Sequence, residues 1–131
     1  MIDVCCAIIV EGSKILSVQR GPETNHPWQW EFPGGKKMPE ESAEQCIVRE
    51  IEEELKIHIE IRDKLESIDF DYGRNQIHLI PFVCRVVSGE LVLTEHVAVQ
   101  WFDLNDWQLF SWSEADHQLI LQNLKSMKLM I

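Results

Sequence analysis

The stretch from Gly34 to Ile57, GGKKMPEESAEQCIVREIEEELKI, decides the fold and the chemistry of this chain. Within it Glu50, Glu53 and Glu54 are spaced at i, i+3 and i+4, so a helix projects all three carboxylates from one narrow arc. Like charges this close repel one another, and a cation that neutralises them makes the arrangement favourable. Carboxylate oxygens suit Mg²⁺ or Mn²⁺, and Mg²⁺ usually completes its shell with water and substrate phosphates. The stretch therefore predicts a divalent metal site for a phosphate substrate.

The competing interpretation is a solvated acidic helix with Glu–Arg pairing, which is what most charge runs are. The wider spacing argues against it, because Glu41 stands five intervening residues after Gly35 and seven before Arg49. Arg49 lies four residues before Glu53, close enough on a helix to orient that carboxylate. Glu41 precedes the helix and is expected to hold the Gly-Gly turn or Arg49 rather than a metal.

The spacing resembles the signature of the Nudix hydrolases: G, five residues, E, seven residues, then R-E-apolar-x-E-E-x-G-apolar. Lys56 stands where that signature has glycine, and we expect a slightly different exit from the helix there. The run from Trp30 to Lys36, WEFPGGK, is similar to that of the MutT-like branch of the family. The resemblance covers nearly the whole chain. It implies the Nudix fold, an α/β architecture with a mixed β-sheet sandwiched between helices (α/β/α).

The MutT-like resemblance also implies an activity, that of a metal-dependent nucleoside triphosphate pyrophosphohydrolase. Members of this branch split a nucleoside triphosphate into the monophosphate and pyrophosphate. The expected partner is a small-molecule nucleotide, either oxidised dGTP (8-oxo-dGTP) or a CTP/dCTP-type nucleotide, and the expected cofactor is Mg²⁺ or Mn²⁺. Two alternatives stay open: a Nudix module that senses a nucleotide without hydrolysing it, and a Nudix hydrolase of nucleotide sugars.

The resemblance assigns roles residue by residue. The implied metal ligands are Glu50, Glu53, Glu54, the backbone carbonyl of Gly34, and Glu95 from a loop. Water attacks the β-phosphorus in this scheme, Glu53 or Glu50 accepts its proton, and Arg49 belongs to the same catalytic set. Arg20 is expected near the triphosphate. The open alternatives are a solvated loop glutamate for Glu95 and a surface arginine for Arg20.

Base recognition is expected at Asp116, where the MutT-like branch has an Asn or Asp that contacts the nucleobase. Aspartate would select a base edge that offers donors, such as the cytosine N4 amino group, or a guanine edge if one partner is protonated. The equally weighted alternative is a helix cap, because Ser113 and Asp116 form an S-x-x-D start. Phe32, His78 and Trp28 are candidates to line or stack on the base, although aromatic residues at alternating strand positions are more often core.

Length and composition limit the other functions. With 131 residues, of which 45% are hydrophobic, the chain is expected to form a single domain spanning residues 1–131. The net charge of −10 argues against binding a nucleic-acid polymer or an anionic membrane. Cys5, Cys6, Cys46 and Cys84 show no metal-binding spacing and are expected to be free, buried thiols. Without a signal peptide or long apolar segment, we expect a cytoplasmic protein, either a monomer or a weak homodimer.

Apolar periodicity predicts the order of the remaining elements. Val4 to Val10 and Lys14 to Arg20 form a hairpin, and Ser42 to about Leu55 form the helix of the acidic stretch. Ile57 to Phe70 and Gln76 to Val87 are expected to be two long antiparallel strands. They are followed by a short strand at Leu91 to Leu93, a last strand at Val97 to Phe102, an irregular or briefly helical segment over Asp103 to Trp112, and a final helix from Ser113.

Overall fold

Eight strands, two α-helices and one 3₁₀ helix make up the chain, in a computed structural model that describes residues 1–131. The strands are β1 (Ile2–Glu11), β2 (Lys14–Gln19), β3 (Trp30–Glu31), β4 (Gly34–Lys36), β5 (His58–Lys64), β6 (Ile68–Asp71), β7 (Gln76–Ser88) and β8 (Ala98–Asp103). The helices are α1 (Ala43–Leu55), the 3₁₀ helix (Leu104–Leu109) and α2 (Glu114–Met130). Neither α-helix is long and apolar enough to span a membrane.

Strand β1 is the centre of a mixed sheet. It runs parallel to β7 from Ile2 opposite Ile77 to Ile9 opposite Cys84, and antiparallel to β4, where Cys5 faces Gly35. At Val10 and Glu11 it pairs with β2, which in turn pairs with β3 and β8. On the far side, β5 and β6 both run antiparallel to β7. The mixed sheet and the N-terminal hairpin are as predicted.

The two faces of β1 point into two separate cores because successive strand residues alternate in direction. Cys6 and Ile8 pack with residues of α2 such as Leu119 and Ile120. Cys5, Ala7 and Ile9 pack instead with α1. The sheet therefore lies between helices, which confirms the α/β/α Nudix fold. All four cysteines are free and buried, as expected.

Helix α1 begins with a capping box and ends with a residue in the left-handed conformation. The Ser42 hydroxyl accepts the Gln45 N–H, and the Gln45 side chain accepts the Ser42 N–H, which forms a capping box. At the other end Lys56 adopts the left-handed conformation, with φ 60° and ψ 27°, and its N–H donates to the Glu52 carbonyl. The expected change of helix exit is therefore wrong. Lysine takes up the backbone conformation that glycine favours, at a steric cost of about 1 kcal/mol.

Two predicted strands differ from the structure, and the apolar alternation before the glycines forms little regular structure. Ile57 to Phe70 is broken into β5 and β6, because the Leu65 N–H donates to the Pro81 carbonyl and the buried Asn123 side chain binds both backbone groups of Glu66. Leu91 to Leu93 is not a strand. That segment instead runs past the end of α1, where the Val92 N–H donates to the Leu55 carbonyl. The alternation from Trp28 to Phe32 yields only the two-residue β3, since Trp28 adopts a left-handed backbone with φ 67°.

Candidate active site

The two glycines of β4 allow strand β1, strand β4 and helix α1 to approach one another closely. A Cβ at Gly34 would clash with the Cys5 carbonyl of the neighbouring strand β1. A Cβ at Gly35 would lie 2.5 and 2.6 Å from the two carboxylate oxygens of Glu50. Only glycine permits this approach, because any larger residue places atoms where the Glu50 carboxylate lies. The two glycines, which lie in strand β4 and not in the expected turn, therefore set the distance between the sheet and the acidic face of α1.

Arg49 ties together the carboxylates that surround it. Its Nε and Nη2 donate to the two oxygens of Glu41 at 3.0 and 2.6 Å, and its Nη1 donates to Glu50 at 3.1 Å and to Glu53 at 3.2 Å. The hydrogen bonds from Arg49, followed by that from the Met38 N–H, lower the pKa of Glu41 to about 2. Glu41 is therefore ionised and holds Arg49, as predicted, and Arg49 orients two of the predicted metal ligands.

Glu54 is the most unusual carboxylate of the helix. Its side chain is buried, with 3% of the residue exposed, and Oε2 has no hydrogen-bond partner. Burial, then the charge of Glu95, then a hydrogen bond to Glu50 raise the pKa of Glu54 to about 10. A buried acceptor without a partner is costly, and neighbouring negative charge adds to that cost. A cation at this place would relieve both.

The donor set around Glu54 fits a hard divalent cation, since it consists of carboxylates and backbone carbonyls. The carboxylate side chains do not form a group of three or more His, Cys, Asp or Glu placed to hold a metal ion in this structure. Two of them, Glu50 and Glu53, are instead held by Arg49. The metal roles of Gly34, Glu50, Glu53, Glu54 and Glu95 thus remain predictions, supported by the unpartnered oxygen of Glu54 and by the Glu95 charge beside it.

A cavity of about 510 Å³ opens beside β4. Three of the four predicted substrate residues line it: Arg20, Phe32 and Asp116. Further lining residues are Gly34, Gly35, Glu31 and Tyr72. Gly35, which lies against the Glu50 carboxylate, also lines the cavity, so the cavity borders the acidic face of α1 as well as Asp116 at the start of α2. A link between the predicted base site and the predicted metal site stays a prediction.

His78 lies apart from this cavity. Its neighbours in β7, Ile77 and Leu79, line the cavity, so strand alternation directs His78 to the opposite face. There its Nδ1 lies 2.6 Å from Asp69 of β6, in an exposed pair. Trp28 does not line the cavity either, and it is 54% exposed. The structure therefore separates both side chains from the base site for which they were candidates.

Asp116 does not cap its own helix. The Phe32 N–H, 84 residues away, donates to Asp116 Oδ2 at 2.8 Å, and the Ser113 side chain makes no capping bond. In the first turn of α2, the Ala115 N–H donates instead to the Tyr72 hydroxyl at 3.1 Å. Burial, followed by the charge of Glu31, raises the pKa of Asp116 well above its usual range. The helix-cap alternative is therefore wrong, and Asp116 is a buried carboxyl group at the cavity wall.

Arg20 is held by hydrogen bonds to Asn25, which follows β2, and to Glu31 of β3. Its Nη1 donates to Glu31 Oε1 at 3.1 Å, and its Nε donates to the Asn25 carbonyl at 3.0 Å. Sequence reasoning missed Glu31, although the residue stands inside the WEFPGGK run, where a charge between Trp30 and Phe32 was a usable signal. It also missed Tyr72. No sequence signal marked Tyr72, because a turn residue that contacts the start of a distant helix leaves no local pattern.

Comparison with known proteins agrees with the fold. Residues 1–123 match the NUDIX domain, and the chain therefore belongs to the Nudix family. It is similar to the CTP pyrophosphohydrolase of Escherichia coli, at 34% identity over 120 residues, which cover 92% of this chain and 89% of that protein. It is also similar to the ADP-ribose pyrophosphatase of Methanocaldococcus jannaschii, at 31% identity over 122 residues, which cover 88% and 68%.

Solved structures extend the comparison. The solution structure of the E. coli ORF135 protein has a TM-score of 0.82 and 33% identity, over 95% of this chain and 89% of that one. The MutT protein from Methanosarcina mazei has a TM-score of 0.85 at 23% identity, over 97% and 95%, which shows the shared fold. The chain is thus a Nudix hydrolase, an enzyme that acts on small nucleoside diphosphate derivatives, and enzymes of this family generally use divalent metals.

Proposed function

We propose that this enzyme is a metal-dependent nucleoside triphosphate pyrophosphohydrolase that releases a nucleoside monophosphate and pyrophosphate. The proposed substrates are CTP/dCTP-type nucleotides or 8-oxo-dGTP. The observation that carries the proposal is one cavity lined both by Asp116 and by Gly35, the glycine that lies against Glu50. A base held at Asp116 directs its phosphates toward the glutamates. The similarity to the E. coli CTP pyrophosphohydrolase supports the same substrate class.

We propose Mg²⁺ or Mn²⁺ as the cofactor, held by Glu50, Glu53, Glu54, Glu95 and the Gly34 carbonyl. When bound, such a cation neutralises phosphate charge and activates water. Glu53 is half-exposed and bonded only to Arg49, so its carboxylate is available to accept the proton of the attacking water. Glu50, which is more covered, is the second candidate. Arg20, which lines the cavity together with Lys36, is the proposed contact of the phosphate chain.

The protonation of Asp116 changes the expected base contact. Oδ2 accepts the Phe32 N–H, so Oδ1 is the oxygen proposed to contact the base. Burial, followed by the charge of Glu31, raises the pKa of Asp116 well above its usual range, which favours the protonated form, and a protonated Oδ1 donates instead of accepting. Its partner is then an acceptor on the base, such as cytosine N3 or guanine O6. Discrimination between these bases depends on the other atoms of the cavity wall.

The test is a substrate panel with Mg²⁺, made of CTP, dCTP, modified dCTPs, dGTP, 8-oxo-dGTP, ADP-ribose and a nucleotide sugar. The expected result is the highest kcat/KM for a CTP-type nucleotide or 8-oxo-dGTP, with pyrophosphate as product. Two monophosphate products from ADP-ribose or the nucleotide sugar, at higher kcat/KM, would replace this function with a diphosphate hydrolase. Binding of a triphosphate without any turnover would instead point to a sensing module.

A further inference from the structure

Glu31 joins the two ends of the active site through its two carboxylate oxygens. Oε1 accepts from Arg20 Nη1 at 3.1 Å, and Oε2 accepts from His96 Nε2 at 2.9 Å. The side chain is 20% exposed, and its backbone is fixed in β3 by pairing with Val18. One carboxylate therefore contacts both the cavity arginine and the loop that leads into β8.

His96 has a single anchoring hydrogen bond. Its side chain is 6% exposed, and Nδ1 is buried without a partner. A carboxylate only accepts, so the proton of the Glu31 bond lies on Nε2. Because the ring makes no other hydrogen bond, the bond to Glu31 is the polar contact that orients His96.

The segment around His96 has no regular secondary structure and carries Glu95. Its N-terminal side is fastened to α1, since the Thr94 N–H donates to the Glu54 carbonyl at 3.1 Å and the Thr94 hydroxyl donates to the Glu53 and Glu54 carbonyls at 3.0 Å. Its C-terminal side is fastened by the Val97 N–H, which donates to the Gln19 carbonyl. Glu95 thus lies in a short span between two anchors.

Glu95 follows Thr94, whose N–H and hydroxyl donate to the carbonyls at the end of α1, so the backbone brings Glu95 next to Glu54. Burial, and then the charge of Glu95, raise the pKa of Glu54, as expected when like charges lie near each other. In a segment without regular secondary structure, like charges separate unless other contacts hold them. The half-buried bond from His96 to Glu31 supplies a contact one residue from Glu95.

We propose that Glu31 and His96 form a positioning pair, which holds Glu95 at the cation site and Arg20 at the phosphate end of the cavity. The inference rests on the proposed function, since it gives Glu95 the role of a metal ligand. Neither Glu31 nor His96 acts on the substrate or the metal in this scheme. Their part is to assemble the two ends of the site in a fixed relation.

The experiment measures Mn²⁺ affinity without nucleotide, from the electron paramagnetic resonance signal of free Mn²⁺. His96→Phe keeps the ring volume but removes the donor, and Glu31→Gln removes the charge that both donors share. Each is expected to weaken Mn²⁺ binding about 10- to 100-fold, the usual effect of losing a group that orients a ligand. Glu95→Gln is expected to weaken it at least as much. His96→Gln, which places an amide donor near the position of Nε2, is expected to restore most of the affinity.

The matched control is Glu60→Gln, which also removes a glutamate that pairs with an arginine, here Arg85, on an exposed part of β5. It is expected to bind Mn²⁺ as the wild type does. Circular dichroism and thermal midpoints establish that each variant folds, and Glu31→Gln carries the test if His96→Phe does not. A second readout is the effect of each variant on KM and on kcat, measured separately. Glu31→Gln also frees Arg20, and it is therefore expected to raise KM more than His96→Phe does.

Two results would overturn the positioning pair. One is unchanged Mn²⁺ affinity in both His96→Phe and Glu31→Gln. The other is unchanged affinity in Glu95→Gln, which would leave the pair with no ligand to position. Failure of the proposed function is seen separately, as absence of pyrophosphate release by the wild-type enzyme, because the Mn²⁺ titrations need no turnover.

Discussion

Replacing Glu54 by glutamine is expected to make the metal-free protein more stable, by an amount that grows with pH. In the folded chain, burial and then Glu95 raise the pKa of Glu54 from 4.5 to about 10, and Oε2 has no partner. Between these two values the folded state keeps a proton that the unfolded state has released. The contribution of Glu54 to stability is thus greatest below about pH 4.5 and is lost as pH rises toward the folded pKa.

The magnitude follows from the linkage between proton binding and folding. One extra proton in the folded state lowers the free energy of unfolding by about 1.4 kcal/mol for each pH unit. From about pH 5.5 to about pH 7.5 the loss from Glu54 is therefore about 3 kcal/mol. Glutamine does not titrate, so Glu54→Gln lacks this slope, and its amide can donate to the carboxylates nearby. The difference in stability between variant and wild type should widen by that amount over these two units.

The assay is urea unfolding followed by circular dichroism, in EDTA, at three pH values in this range. Glu44→Gln is the control, because Glu44 is exposed in the first turn of the same helix. Its difference from the wild type should not change with pH. Adding Mg²⁺ at about pH 7.5 should then stabilise the wild type and have little effect on Glu54→Gln, since binding to the folded state alone shifts the unfolding equilibrium. A stability difference for Glu54→Gln that stays constant with pH would refute the buried, protonated carboxyl group.

Substitutions at three further positions test other parts of the chain. Glu53→Gln should lower kcat by at least ~100-fold with an unchanged thermal midpoint, the scale of a lost general base, and near wild-type turnover would remove Glu53 from that role. Lys56→Gly should raise the free energy of unfolding by about 1 kcal/mol without changing kcat, because φ at this residue is 60°, and a lower thermal midpoint would contradict the strain. Asp116→Asn supplies the donor and acceptor of a protonated carboxyl group and should keep the base preference, whereas Asp116→Ala should flatten it. Loss of preference in Asp116→Asn, measured as the ratio of kcat/KM for two bases, would show that Asp116 works as a carboxylate.

The acidic helix could be predicted from the sequence because its information is local. The spacing of Glu50, Glu53 and Glu54 and the cap at Ser42 depend on residues within one or two turns, and the structure forms both the helix and its capping box. Strand alternation was equally informative for β1, where Cys5 and Cys6 point into opposite cores. The same alternation placed His78 opposite Ile77 and Leu79, so its distance from the cavity was foreseeable.

Contacts between distant residues were not predictable in this way. Asp116 has the spacing of a helix cap, but its partner is the Phe32 N–H, and nothing near position 116 indicates that choice. Glu31 and His96 are 65 residues apart, and only the folded sheet brings them together. The segment Leu91 to Leu93 has the alternation of a strand. Its middle residue, Val92, however, donates its N–H to the Leu55 carbonyl at the end of α1, so tertiary contacts override the local pattern.

The central claim, hydrolysis of a nucleoside triphosphate at its β-phosphorus, is tested most directly by running the reaction in ¹⁸O-labelled water. CTP, or 8-oxo-dGTP if the substrate panel favours it, is hydrolysed with Mg²⁺, and both products are analysed by mass spectrometry. Attack on the β-phosphorus places the label in pyrophosphate and leaves the nucleoside monophosphate unlabelled. Label in the monophosphate, or labelled inorganic phosphate with a nucleoside diphosphate, would contradict the account.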